Sequence, residues 1–219
     1  MTAPAPESEA PLLELRDLVV GPVGPLSLTL HRGEILGLVG LRGAGQDLVG
    51  RAVFGDTGDF GRSGLIVING SPRRLRGPVD AVHAGVAFVS SKRVEEGIAP
   101  AMSVRENLYP NPLILGQRLL SLTQPSVEAE RARVAMDRFD VRPRDTERTV
   151  GTLSGGNQQK AILARWLEAA SRLLVLEEPT FGVDVGARAE IYRILGDHVA
   201  AGHGVLLVSS DFEEVAGIS

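Results

Sequence analysis

Two kinds of apolar patterning alternate along the chain. Leu12–Val20 and Leu26–Leu30 carry apolar residues at roughly every second position, which predicts half-buried strands. Leu65–Ile68, followed by the turn pair Asn69-Gly70, predicts another strand of the same antiparallel layer. Ile35–Val39, Val86–Val89, Leu173–Leu176 and Val205–Val208 are different: short continuous apolar runs bounded by turn residues and separated by helical patterns, as buried parallel strands require. From about 94 to 150 the period is helical, and in Val127–Phe139 the residues Ala132, Ala135, Met136 and Phe139 fall on one face. The pattern therefore predicts an α/β fold with a parallel-sheet core, an antiparallel β layer and an inserted helical lobe. Residues 1–11, dominated by Pro, Ala, Glu and Ser, predict a flexible tail or interdomain linker ahead of one folded domain over 12–219.

Composition narrows the possibilities. A chain of 219 residues with 43% hydrophobic content can bury one sizeable core, or at most two modest ones, and one α/β domain is the simplest expectation. The net charge of -4 argues against a polyanion-binding surface, so nucleic acid is not an expected partner. The absence of cysteine excludes disulfides, thiolate nucleophiles and cysteine-ligated metals, and the four histidines lack metal-ligand spacing. No apolar run approaches the roughly 20 residues of a membrane-spanning helix. The start MTAPAPESEAP lacks the basic-then-apolar layout of a signal peptide. A cytoplasmic chain that meets a membrane only through a partner is the expectation.

Three stretches carry candidate chemistry. LSGGNQQK, from Leu153 to Lys160, is a polar glycine-bearing turn that opens a helix and offers free N–H groups and the Ser154 hydroxyl to a phosphate. The apolar run that follows ends in the carboxylates Glu177 and Glu178. Earlier, Ile35–Val39 leads into Gly40-Leu41-Arg42-Gly43-Ala44-Gly45-Gln46-Asp47 and then a helical stretch Leu48–Phe54, the strand, glycine loop and helix order of a phosphate-binding P-loop. Gln46 stands where such a loop has a Lys, and Asp47 where it has a hydroxyl. The loop is thereby two charge units more negative toward a polyanion, each unit worth up to about 4 kcal/mol at 4 Å and an effective dielectric of 20. Weak independent MgATP binding is expected. Simpler roles compete for the same residues: a plain glycine turn at Gly40–Gly45, helix caps at Ser154 and Asp184, a capping acid pair at Glu177-Glu178, and solvated helix faces at Arg105–Leu108 and Glu128–Arg138.

With LSGGNQQK, LEEPT and GVDVGA following the glycine loop in that order, the chain resembles the ATP-binding cassette of ABC transporters. It is most similar to the second cassette of the two-cassette ATPase subunits of bacterial monosaccharide importers of the ribose, galactose and xylose type. KRVEEGIAPAMSVRENL and VSSDFEEVAGIS extend the resemblance over nearly all of 12–219. The resemblance implies ATP and Mg²⁺ as cofactors. It implies nucleotide binding by Gly40, Gly43, Ala44, Gly45, Gln46, Asp47 and Ser91, and Mg²⁺ held near Asp47 and Glu177. Glu178 would polarise the attacking water, Ser210 stands at the switch position usually held by His, and Ser154, Gly155, Gly156 and Gln158 form the signature. Asp184 would lie in the loop that crosses a cassette pair, and residues 93–102 would floor a groove for a permease helix.

Such cassettes pair head to tail, the P-loop of one facing the signature of the other. The implied partners are a second cassette and membrane permease subunits, with the chain peripheral on the inner face of the cell membrane. The implied function is coupling of ATP binding and hydrolysis to sugar uptake, with a weak site of its own and a signature that completes the partner's. A self-sufficient homodimeric ATPase, a non-hydrolysing regulatory cassette, and a soluble ABC protein of DNA repair or translation are the alternatives. Family cassettes continue past VAGIS with another strand and helix, so the chain reads as truncated or as a fragment.

Overall fold

The computed structural model describes residues 10–110, 124–169 and 171–218, so the expected tail lies almost wholly outside the described residues. In chain order the regular elements are β1 (Leu13–Val20), β2 (Val23–Leu30), β3 (Ile35–Val39), α1 (Gln46–Phe54), β4 (Arg62–Ile68), β5 (Ser71–Arg73), α2 (Pro78–His83), β6 (Val86–Val89), α3 (Val104–Leu108), α4 (Pro125–Arg138), α5 (Gly155–Glu168), β7 (Leu173–Glu177), α6 (Val185–Ala200), β8 (Gly204–Ser209) and α7 (Phe212–Ala216). They fall into two compact units. One runs to Phe88 and takes in Arg172–Glu178 and the chain from Gly196; the other comprises Val89–Ser171 and Pro179–Leu195.

The first unit holds both sheets. The antiparallel sheet has the order β2-β1-β4-β5, with Leu13 opposite Leu30 on one side and Ile68 on the other. Its buried face is made by Leu13, Leu15, Leu18 and Val20, a set that alternates, skips one position and alternates again. The skip is a bulge: the register shifts after Leu15 against β2 and after Arg16 against β4, and Asp17 takes φ 48°. Gly64 fits opposite it because a Cβ there would lie 2.3 Å from the Asp17 carbonyl oxygen. β2 runs through Pro25, which the sequence pattern placed before the strand; an edge position tolerates the missing N–H.

The second sheet is parallel where β8 pairs with β3 and with β7, in the order β3-β8-β7-β6. β7 and β8 are buried throughout, as their unbroken apolar runs predict. β3 is half-exposed despite an equally apolar sequence, because it is the edge strand. α1 packs against β7 and β8 and also touches β1 and β2. The helix approaches closely at Gly50, where a Cβ would meet Val175 and Val208 at 3.2 Å. Phe54, at its C-terminal end, stacks on Phe88 of β6 with ring centroids 5.0 Å apart.

The second unit is helical. On α4 the face Ala132, Ala135, Met136, followed by Phe139, is buried as its spacing predicts. The short α3 corrects the expectation of a solvated face at Arg105–Leu108, since Val104, Asn107 and Leu108 are all buried. Ser103 and Glu106 form a capping box at its start. The Asn107 carboxamide is then fully used: Nδ2 donates to the carbonyls of Ala99 (3.1 Å) and Ser103 (2.9 Å), and Oδ1 accepts from Ala99 N–H (2.8 Å). Its own carbonyl accepts from Arg165 Nε of α5 at 2.6 Å, and burial pulls the Arg165 guanidinium down to about 10. Arg105 reaches outward instead, to Glu147 at 2.8 Å and Glu128 at 3.1 Å. Among the described residues no helix is long and apolar enough to cross a membrane.

Replacing Asn107 by Ala leaves the Ala99 and Ser103 groups without their partner, and is expected to cost about 1–3 kcal/mol of unfolding free energy, read by urea denaturation. A pH effect is expected in the first unit. His203 stacks on His198 with centroids 4.6 Å apart, and burial, then Arg172 and Arg32, hold its pKa below the ordinary 6.5. A lowered folded-state pKa means the stabilisation is complete above the unfolded value and is lost as pH falls below it. The denaturation midpoint should therefore drop on acidification below about pH 6.5, and His203→Gln should flatten that part of the profile.

Candidate functional site

The glycine loop begins where β3 ends. The chain turns from Gly40 to Gly45, closed by Ala44 N–H donating to the Leu41 carbonyl at 2.9 Å. Gly43 (φ 83°) has open space where a side chain would go, whereas a Cβ at Gly45 (φ 91°) would sit 2.3 Å from Val23 Cγ2. Only glycine meets both demands at Gly45. α1 starts at Gln46 with no side-chain cap, so its leading N–H groups and the positive end of its dipole are presented at the loop. Into this setting Gln46 brings a neutral amide that folds back on the loop: Nε2 donates to the Gly40 carbonyl at 3.0 Å, and Oε1 is buried with no hydrogen-bond partner among the described residues. Asp47 is exposed on the first turn, where the dipole favours its charge. The backbone of the loop suits a phosphate; the side chains at its helix end do not add a cation.

β7 delivers two carboxylates to the same unit, with opposite fates. Glu177 continues the strand and is 2% exposed. Its Oε1 lies 3.2 Å from Nε of Arg51, and its Oε2 accepts from Arg51 Nη2 at 3.3 Å. Arg51 comes from the last turn of α1, donates from Nη1 to Asp56 at 2.9 Å, and lies over the Phe88 ring at 5.3 Å. Glu178 leaves the strand with φ 44°, a left-handed conformation that costs a non-glycine residue roughly 1–3 kcal/mol and persists only when its surroundings dictate it. Those surroundings are the end of β8. Glu178 N–H donates to the Val208 carbonyl at 2.9 Å, and its carboxylate accepts from Ser210 N–H at 2.7 Å and Ser209 Oγ at 3.1 Å. Ser210 thus meets Glu178 through its backbone. Ser209, fully buried, is the residue that the sequence reading missed; it also reaches Glu214 of α7 at 2.6 Å. Its signal was the first serine of VSSD, the last residue of an apolar strand.

The second unit holds the glycine turn before α5. Ser154 occupies the cap position but its hydroxyl does not cap the backbone; it accepts from Asn157 Nδ2 at 2.9 Å. The first turn of α5 therefore keeps its N–H groups and dipole available. A Cβ on Gly155 would fall 3.0 Å from Arg93 Nη2 and the Gly182 carbonyl, and one on Gly156 2.4 Å from the Ala187 Cβ of α6. Gln158 is buried and works inward: Nε2 donates to the carbonyls of Leu153 (3.2 Å) and Val150 (3.3 Å), while Oε1 accepts from Arg93 Nε at 3.2 Å. It shapes the turn from behind. Burial holds the Arg93 guanidinium below its usual value. Asp184 caps α6, accepting from Ala187 N–H at 3.0 Å, which bears out the simpler reading of that residue. Lys160, also buried, donates to the Asp140 carbonyl and to Glu190 at 2.6 Å. Ser91 is exposed, and Ser90 beside it donates to Glu96 at 2.7 Å.

These residues do not fit a Mg²⁺ ion on Glu177. Mg²⁺ uses one or two carboxylates and tolerates little geometric error. Both Glu177 oxygens already face a guanidinium. A divalent ion at contact distance would repel it by about 8 kcal/mol, twice the unit-charge value at 4 Å and an effective dielectric of 20. Asp47 sits apart on an exposed helix turn, and no cluster of three or more His, Asp or Glu able to hold a metal occurs among the described residues.

Known proteins agree with this architecture. The fold is similar to a nucleotide-free ATP-binding cassette from an ABC transporter, with TM-score 0.73 and 18% identity over 95% of this chain and 85% of that one. In sequence the chain is 48% identical over 192 residues to a ribose/galactose/methyl galactoside import ATP-binding protein of Agrobacterium fabrum, covering 86% of this chain and 37% of the relative. It is 41% identical over 210 residues to a ribose import ATP-binding protein of Rubrobacter xylanophilus, covering 95% and 42%, and 38% identical over 205 residues to an arabinose import ATP-binding protein of Yersinia pestis, covering 91% and 38%. The chain thus spans about two fifths of the length of the curated relatives it matches. The sequence profile of the family described as ABC transporter matches residues 23–181. On that match, with the strand, glycine loop and helix order at its N-terminal end, the chain belongs to the ABC transporter family.

Proposed function

We propose that this chain is the ATP-binding subunit, or half-subunit, of a carbohydrate ABC importer. In this reading its own P-loop is degenerate, and its signature completes the ATP site of a partner cassette. The observation that carries the reading is the contrast between two helix starts. α5 opens with Ser154, Gly155 and Gly156 and no side-chain cap, in the arrangement that receives a phosphate. α1 opens on a loop of suitable backbone but with Gln46 folded onto Gly40 and Asp47 at its first turn. The relatives' names, all sugar import ATP-binding proteins, support the substrate class.

The assembly would pair residues 12–219, with a helical lobe at about 94–150, head to tail with a second cassette. Residues 93–102 would meet permease subunits, and the chain would lie on the inner face of the membrane. ATP bound across the pair supplies the phosphoryl group. Of this chain's residues, Ser154 and the N–H groups of Gly155 and Gly156 would bind its terminal phosphate. Gln158 would hold the turn and Asp184 would fix the start of α6; at this chain's own weak site, Glu178 would be the carboxylate oriented by Ser209 and Ser210 toward water. A non-hydrolysing regulatory cassette is the second reading, favoured by the Arg51 contact to Glu177.

The deciding experiment reconstitutes the chain with its partner cassette and permease and introduces Ser154→Arg. ATPase activity of the complex should fall by roughly 10²-fold or more, because an Arg at this position blocks the phosphate-facing turn. Unchanged activity would sink the proposal, as would micromolar MgATP binding with steady turnover by the isolated wild-type chain.

A further inference from the structure

The ion pair at the end of β7 spans 126 positions of sequence and links the helix that follows the glycine loop to the strand that carries the acid pair. Arg51 is not a loose surface side chain. Asp56 holds one Nη, Phe88 lies under the guanidinium, and Glu177 takes Nε and the other Nη. Glu177 is as constrained, 2% exposed and in the last position of a fully buried strand. A carboxylate so far from water needs a cation at its oxygens, because an uncompensated buried charge is strongly destabilising. In a phosphate-binding site that cation is ordinarily a divalent metal. Here the protein supplies its own, from the last turn of α1, in contact with both carboxylate oxygens.

We propose that Arg51 is the resident cation partner of Glu177 and replaces a divalent metal there, holding the end of β7 and the neighbouring Glu178 in place without an ion. This goes beyond the nucleotide reading and does not depend on it, since the pair is complete in the chain alone. It makes Arg51 a positioning residue, acting on the strand end through Glu177.

The test uses the full chain and Mn²⁺ as the probe, followed by the electron paramagnetic resonance signal of the free ion. Wild-type chain without nucleotide should leave the Mn²⁺ signal undiminished. Arg51→Gln, which removes that guanidinium from Glu177, should bind Mn²⁺ more tightly than wild type, and the double variant Arg51→Gln/Glu177→Gln should lose the gain. A role in packing alone would not create a metal site. Wild type that takes up stoichiometric Mn²⁺ and loses it in Glu177→Gln overturns the proposal, and so does an Arg51→Gln chain that binds no more Mn²⁺ than wild type.

Thermal melts in EDTA give a second, metal-free readout that also covers failure of Arg51→Gln to fold. Glu177→Gln should lower Tm by roughly 5–15 °C, and the double variant should lose clearly less than the sum of the two single losses. A wild-type-like melt of Glu177→Gln, or strictly additive losses, overturns it.

Discussion

In the first unit, every part of the candidate site depends on β8 being paired in register on both sides. Its Ser209 lies opposite Val39 of β3, its Val208 opposite Glu177 of β7, and the pairing continues one step further through Glu178 N–H to the Val208 carbonyl. Parallel ladders of this kind allow no slip of one residue without exchanging the faces of every side chain. The glycine loop, the acid pair and the serine turn are therefore delivered to one end of one sheet by backbone hydrogen bonds. The side chains then only have to complete local arrangements. Gly45 lets the loop pass Val23, Arg51 meets Glu177, and the serine turn receives Glu178.

Much of this fold is legible in the amino-acid order because burial is periodic. The runs around Val86, Leu173 and Val205 are uninterrupted because both faces of those strands are covered, and the face of α4 through Ala132 and Met136 is apolar because one side of the helix packs. Where the pattern misled, the cause was neighbourhood. Ile35–Val39 reads like its sister strands, yet its place at the sheet edge cannot be inferred from its own residues. Arg105–Leu108 looks solvated by charge count, but a five-residue helix can present its two charges outward and its other side chains inward. The bulge at Asp17 shows only as one skipped beat in the alternation of β1.

The site was legible in part for the same reason. Glycine positions and strand-end acids are local signals, because a turn or strand terminus demands them within a few residues. The contacts that decide what those residues do are long-range. Nothing near Glu177 in sequence announces Arg51, and nothing near Glu178 announces Ser209. Gln158 reads as a ligand when its motif is taken alone, yet its amide closes the turn from inside. Gly156 likewise serves packing on Ala187 as directly as it serves an open helix start. A residue can keep a motif's spelling for either reason, and only the neighbouring atoms distinguish them.

The serine at the end of β8 has one further property, which lies in counting hydrogens. The Ser209 hydroxyl owns a single proton, and two carboxylates stand within reach of its oxygen: Glu214 at 2.6 Å and Glu178 at 3.1 Å. One of its lone pairs is engaged as well, accepting from Asp211 N–H at 3.0 Å. A hydroxyl can donate to only one acceptor at full strength. The two acids therefore compete for one hydrogen, and rotation of a single C–O bond decides which is served. Glu178 retains its backbone donor from Ser210 whichever way that bond turns, whereas the strength with which the α7 acid is held varies with it. The hydroxyl is thus an arbiter between a strand-end carboxylate and the helix that follows.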